Sequence, residues 1–342
     1  MFEIIFRIFN ITYHEETVLS VNWRESLLVT THPFYADYPS DKKRPKLFRY
    51  APNSFWYTQY PDNENGYFDE NFQIHYQMNS SGYRDSEFGP KSETTARIIS
   101  IGDSFTFGEG VKSEHVFPGV LESKLFKSGC KSEVYNLGIN GHDLKDEYAL
   151  LPLHLNIYQP DLVIWQFLFN DISNYYLYHE WQEMMAEKKV DFMISVPSFF
   201  LYYIQERIWK IIKSKAYYQS LLDVYNDPEY WMDLENNLHK VHELVKQSGA
   251  EMFIVLFPTL DMIDENTNRI ELIHKKLGDL FTREDIPFLD ITSSFQENNP
   301  ESLWVHRIDG HPNETAHSIA AEEIFKYLEA NSDKFSIMKN CE

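Results

Sequence analysis

Four short stretches of this chain carry residue types that can do chemistry together. Gly102-Asp103-Ser104-Phe105-Thr106-Phe107-Gly108 offers a hydroxyl, and Asn136-Leu137-Gly138-Ile139-Asn140-Gly141-His142 offers small backbone donors. Asn170-Asp171 adds a side-chain amide, and Asp309-Gly310-His311-Pro312 adds a carboxylate with an imidazole. A hydroxyl, an oriented imidazole, a carboxylate and amide donors are the parts of acyl transfer. In that chemistry Ser104 is the nucleophile, His311 takes its proton, and Asp309 fixes the imidazole tautomer and stabilises its charged form. The oxyanion of a tetrahedral intermediate needs donors, which the Ser104 and Gly141 N–H groups and the Asn170 amide would supply. A helix starting at Ser104 would place its N-terminus beneath that charge. Asp103 and Asp171 are read as supporting residues.

Taken singly, each stretch reads as ordinary punctuation. Gly-Asp-Ser opens a helix with Asp103 or Ser104 as its cap, Asn170-Asp171 makes a loop, and Asp309-Gly-His-Pro makes a turn with Pro312 in the first position of a helix. His306 and His317 are alternative bases, but His317 falls inside the last expected helix, where capping or packing suits it better. The weight lies in the order of the four stretches along an alternating pattern of elements.

Short apolar runs precede them: Ile98–Ile101, Val134–Leu137, Leu162–Phe169, Phe253–Phe257 and Pro287–Asp290. Near-continuous apolar runs suit strands buried on both faces. Helical patterns at about 114–128, 142–158, 228–248 and 264–283, and a last one after His311, fall between or beyond them. Strand and helix alternate, which predicts an α/β fold with a parallel five-stranded sheet and right-handed crossovers. In such a sheet ligands bind beyond the carboxyl ends of the strands, where all four stretches fall. Residues 1–95 read as an irregular N-terminal region with short strands, packed on a catalytic domain over 96–335. An aromatic-rich stretch at about 172–227 reads as a helical insertion after the third strand, either a lid or acyl-chain surface, or a helix packing its aromatic side on the core.

Composition sets the outer bounds. With 31 Lys+Arg against 52 Asp+Glu among 342 residues, the net charge of −21 argues against nucleic acid, whose phosphates need clustered cations. A hydrophobic content of 43% is too high for disorder. The two cysteines, Cys130 and Cys341, share no metal-ligand or redox spacing, and the expectation is two unpaired residues, one in the core and one in the tail. The apolar opening Met1–Tyr13 is about half a membrane span and is interrupted by Glu3 and Arg7, without a basic start or a cleavage site. The expectation is a soluble protein, cytoplasmic or membrane-peripheral, with either that opening or the aromatic insertion as the place of membrane contact. No Gly-x-Ser-x-Gly elbow, dinucleotide fingerprint, phosphate loop or His-Glu-x-x-His cluster occurs, so no cofactor or metal is expected.

The same residues carry a family resemblance. The chain resembles the SGNH hydrolases, the GDSL-type esterases, through Gly102-Asp103-Ser104, the Gly141 region, Leu168-Phe169-Asn170-Asp171 and the Asp309/His311 pair, over about 97–330. Gly102-Asp-Ser-Phe-Thr-Phe-Gly-Glu-Gly-Val111 and Pro160-Asp-Leu-Val163 are its most specific parts, and Asn79-Ser-Ser-Gly-Tyr-Arg-Asp85 is similar to the lead-in of a bacterial branch. The resemblance implies a three-layer α/β/α, flavodoxin-like fold, a catalytic serine, no metal, and a small-molecule or glycan ester as substrate. Two departures stand out. Leu168 occupies a position that is usually glycine, which would narrow the pocket, and the acid and base are spaced Asp-x-His instead of Asp-x-x-His. The shorter spacing resembles polysaccharide O-acetyltransferase relatives, so transfer to a glycan hydroxyl stands beside hydrolysis, with a non-catalytic binding protein as the third reading.

Overall fold

Period-two burial organises both halves of the chain. The computed structural model describes residues 19–21, 27–29, 47–172, 184–189, 192, 199–260, 263 and 267–341. Its first strands are short: β1 Leu19–Val21, β2 Leu27–Val29, β3 Phe48–Tyr50, β4 Phe55–Gln59 and β5 Gln73–Gln77. β1, β4 and β5 form an antiparallel sheet, with Trp56 opposite Tyr76 and Thr58 opposite Ile74. In β4 and β5 burial alternates, so Trp56, Thr58, Ile74 and Tyr76 face inward.

The main sheet holds β6 Ala96–Ile101, β7 Ser132–Asn136, β8 Leu162–Leu168, β9 Glu251–Phe257 and β10 Phe288–Asp290, all parallel. Its spatial order is β7-β6-β8-β9-β10, which is 2-1-3-4-5 in chain order and reverses direction between β6 and β8. That reversal is the crevice where doubly wound sheets bind ligands. Successive strand residues serve opposite faces: Ile98, Ile164 and Phe253 join the helices Phe117–Lys127 and Glu314–Ala330, while Ile99, Trp165 and Ile254 join Leu144–Tyr158, Pro228–Ser248 and Thr267–Arg283. The result is the expected three layers. Tyr50, Trp56, Tyr60 and Tyr76 share the second of these apolar clusters, so residues 47–95 are continuous with the domain's core.

The lead-in Asn79–Asp85 makes that junction. Asn79 closes the turn by accepting from the N–H groups of Ser81 and Tyr83, and Gly82 sits at φ +81°, where an added Cβ would lie 2.3 Å from the Tyr50 carbonyl oxygen. Arg84, buried, donates to the carbonyls of Phe107, Gly108 and Val111. Asp85 accepts from the N–H of Asn136 at the end of β7.

Two expectations are corrected. Cys130 and Cys341 form a disulfide between the segment before β7 and the C-terminal tail, which the separation of 211 residues concealed. Pro312 ends the strand Asp309–Pro312 instead of starting a helix; Asn313 caps the helix Glu314–Ala330 by accepting from Thr315 and Ala316.

Within the insertion, the described helix Phe199–Asn226 packs Tyr218, Leu221 and Tyr225 on the core, while Leu201, Ile204, Ile208, Ile211 and Ile212 are exposed. The stretch 173–183 and the opening 1–18, which includes the apolar segment read as a place of membrane contact, lie outside the described residues. Among the described residues no helix is long and apolar enough to cross a membrane.

Candidate active site

Ser104 stands at a tight turn that only glycine permits. Gly102, directly after β6, has φ +155°, and a Cβ there would lie 2.3 Å from both Gln166 Oε1 and Thr106 Oγ1. Gln166, on β8, uses that oxygen to accept from the Asp103 N–H at 3.2 Å and the Thr106 hydroxyl at 2.9 Å. The Asp103 carboxylate caps the following turn by accepting from the Phe105 N–H at 2.9 Å. The helix Ser104–Phe107 is a single turn, so the dipole expected of a longer helix is absent. Arg84 occupies the carbonyls at its other end, which explains why a buried cation is tolerated there.

The Ser104 hydroxyl lies 2.9 Å from His311 Nε2, and His311 Nδ1 lies 2.5 Å from Asp309 Oδ1. Asp309 also accepts from the His311 backbone N–H at 3.2 Å. These distances place the Ser104 hydroxyl within hydrogen-bond reach of the His311 imidazole despite the short Asp-x-His spacing. The short Asp-x-His spacing has a structural cause. Both residues sit on the strand Asp309–Pro312, where residues two apart share one face; a spacing of three would need a turn between them.

Burial disfavours the charged His311, but the charge and hydrogen bond of Asp309, followed by the charges of Glu109 and Asp103, raise its pKa to about 9. The imidazole is 32% exposed, so water tempers that field. Asp309 responds in the opposite sense: burial opposes its ionisation, and His311 with the Tyr60 hydroxyl outweighs burial and lowers its pKa to about 2. Desolvation raises Asp103 to about 6.

The other expected bases are engaged elsewhere. His317 is fully buried, accepts from the Phe117 N–H at 3.3 Å, and burial lowers its pKa to about 3. His306 lies 3.2 Å from Asp62.

The two donor stretches arrive at the same edge. Ile139 donates to the Gly102 carbonyl at 3.1 Å, and Gly138 packs so closely on the Ser104 turn that an added Cβ would lie 2.3 Å from the Phe107 nitrogen. Gly141 follows with φ +77° and nothing within 4 Å of where its Cβ would be. Asn170 lies in the 3-10 turn Phe169–Ile172 that ends β8, and Asp171 ties that turn down by accepting from the Leu168 N–H at 2.6 Å. The Leu168 side chain is buried in the apolar cluster that holds Phe105 and Phe257, with its direction set by the core.

Sequence reasoning missed the residues that brace this set. Tyr60, following β4, donates its hydroxyl to Asp309 Oδ2 at 2.7 Å. Glu109, buried, accepts from Thr58 at 2.9 Å and Tyr76 at 2.8 Å, and its second oxygen accepts from Asn140, next to Gly141. The available signal was a lone acid between Gly108 and Gly110, at φ +81° and +76°, inside an otherwise uncharged run.

A 2-1-3-4-5 parallel sheet that joins a serine, an imidazole and a carboxylate in series at its carboxyl edge is the layout of an ester hydrolase. The sequence pattern of the GDSL-like lipase/acylhydrolase family matches residues 100–319, more than half of the chain, and the chain belongs to that family. A comparison with curated proteins finds no match. Among solved structures the chain is similar to TesA, with 15% identity over 68% of this chain and 98% of that one and a TM-score of 0.44. It is also similar to the psychrotrophic esterase EstA from Pseudoalteromonas sp., with 11% identity, 70% and 99% coverage and a TM-score of 0.45. An acetylxylan esterase from Geobacillus stearothermophilus, solved as a catalytic mutant, shows 14% identity, 69% and 95% coverage and a TM-score of 0.45.

Proposed function

We propose that this hydrolase is a serine esterase that cleaves an O-acyl ester, of an acetylated carbohydrate or a lipid, through an acyl-Ser104 intermediate. The observation that carries the reading is the continuous series Ser104–His311–Asp309, at 2.9 and 2.5 Å. Ser104 Oγ attacks the ester carbonyl carbon while its proton passes to His311 Nε2. Asp309 accepts from Nδ1–H throughout and stabilises the imidazolium. The Ser104 and Gly141 N–H groups and the Asn170 amide receive the oxyanion. Collapse breaks the ester C–O bond, and the alcohol leaves with the proton from His311. Water, deprotonated by the same imidazole, then attacks the acyl-serine; the second collapse frees the carboxylic acid and returns the proton to Ser104. With a net charge of −21, neutral esters suit the site better than polyanions.

The test is intact-protein mass after exposure to a fluorophosphonate, together with hydrolysis of p-nitrophenyl acetate. Wild type gains one adduct, while Ser104→Ala gains none and loses hydrolysis by at least a thousand-fold. An adduct and turnover that survive in Ser104→Ala refute the assignment.

A further inference from the structure

We propose that the N-terminal sheet is a working part of the active site, in which Tyr60 is a positioning residue that holds Asp309 in register with His311. The inference rests on the esterase reading above.

Tyr60 and Asp309 are 249 residues apart, yet the Tyr60 hydroxyl donates to Asp309 Oδ2 at 2.7 Å while His311 occupies Oδ1 at 2.5 Å. Each carboxylate oxygen has its own donor, so the carboxylate is pinned at both ends and cannot rotate away from the imidazole. Tyr60 is itself locked. It is 2% exposed, its ring stacks on Phe68 with centroids 4.1 Å apart and planes 3° apart, and its backbone N–H donates to the Phe72 carbonyl at 2.9 Å. Gly110 is shaped to it, since an added Cβ there would lie 2.8 Å from the Tyr60 oxygen. A hydrogen bond from a side chain this constrained costs little further ordering entropy, which is what a positioning group requires.

A second junction reaches the opposite side of the site. Thr58 and Tyr76, on β4 and β5, hold one oxygen of Glu109, whose other oxygen accepts from Asn140. Thus the sheet touches both the acid–base side, through Asp309, and the loop bearing Gly141. The Asp309 side chain is only 11% exposed, so a donor lost from its carboxylate would be replaced by nothing of equal geometry.

The experiment uses the full chain with p-nitrophenyl acetate and a fluorophosphonate as probes. Tyr60→Phe keeps the ring and removes the hydroxyl. We expect kcat and the rate of Ser104 phosphonylation to fall on the order of ten-fold with KM unchanged. In an Asp309→Asn background the same substitution should add no further loss, because Tyr60 acts only through that carboxylate. Should Tyr60→Phe not fold, Phe68→Leu keeps the hydroxyl but frees the ring, and should lower kcat with the same dependence on Asp309. A kcat within two-fold of wild type, or an equal loss in the Asp309→Asn background, overturns the proposal. Retained turnover in Ser104→Ala instead overturns the esterase assignment, and the two failures are read from separate variants.

Discussion

At the scale of single residues, the site is set by where negative charge is placed around one imidazole. His311 faces Asp309, Glu109 and Asp103, and its pKa is raised to about 9. On the proposed mechanism His311 must be neutral to accept the Ser104 proton, so kcat/KM should rise with pH and level off only on the alkaline side. Glu109→Gln removes one of the three charges that favour imidazolium, so the rising limb should move to lower pH. A pH profile of p-nitrophenyl acetate hydrolysis checks this, and an unmoved limb would show that His311 does not sense Glu109. The grouping of Ser104, Asp309 and His311 was legible in the sequence because each sits in a short motif of residue types that can do chemistry together. Tyr60 and Glu109 were not, because their contacts to Asp309 and Thr58 span 249 and 51 residues, which no local spacing encodes.

At the scale of elements, the five parallel strands and their helices were readable because a strand buried on both faces must be apolar throughout. The first three strands were harder, since β1, β2 and β3 are three residues long and give too few alternations to register a period. The positions that fix the elements against one another are small ones. Gly138 joins the end of β7 to the Ser104 turn, where an added Cβ would lie 2.3 Å from a backbone nitrogen and 2.6 Å from a backbone carbon. Backbone cannot swing aside as a side-chain tip can. Gly138→Ala should therefore cost about 1–3 kcal/mol of stability, read as a lower denaturation midpoint, and should lower kcat in the folded fraction. Unchanged stability would mean that the turn and the loop are not packed as described. Gly141→Ala differs: nothing lies within 4 Å of an added Cβ, so no clash arises, and its φ of +77° alone should cost about 1 kcal/mol of stability alongside a lower kcat.

At the scale of the whole molecule, buried titratable groups set how stability changes with pH. The Cys130–Cys341 bridge acts outside that dependence. It lies before β7, at the end of the sheet away from the site, and closes a loop of 211 residues, so Cys341→Ser should cost about 2–4 kcal/mol while leaving kcat/KM unchanged. Beneath the site lies a layer of buried carboxyls. Burial, followed by the neighbouring charges of Asp103, Asp143 and Asp146, holds the pKa of Glu147 well above its usual range. Burial with the charges of Asp103 and Glu147 does the same to Asp171. An acid whose folded pKa is raised binds more protons folded than unfolded, so stability falls as pH climbs from the ordinary carboxylate range, near 4, through the folded pKa. His311 adds to the alkaline loss: its contribution is complete below about 6.5 and disappears as pH passes about 9. Asp309, at about 2, works the other way, stabilising above about 4 and losing that contribution as pH falls toward 2. His317, buried with its pKa lowered to about 3, also stabilises above about 6.5 and loses that contribution as pH falls, so the loss above neutrality is carried by Glu147, Asp171 and His311. Glu147→Gln tests the arrangement, because an amide oxygen can still accept from the Trp165 indole while its NH2 stands where the protonated acid carries its hydroxyl. Thermal melts from pH 4 to 9 should show the variant close to wild type in acid and more stable in alkali. Equal losses across that range in both proteins would mean that Glu147 is ionised in the fold.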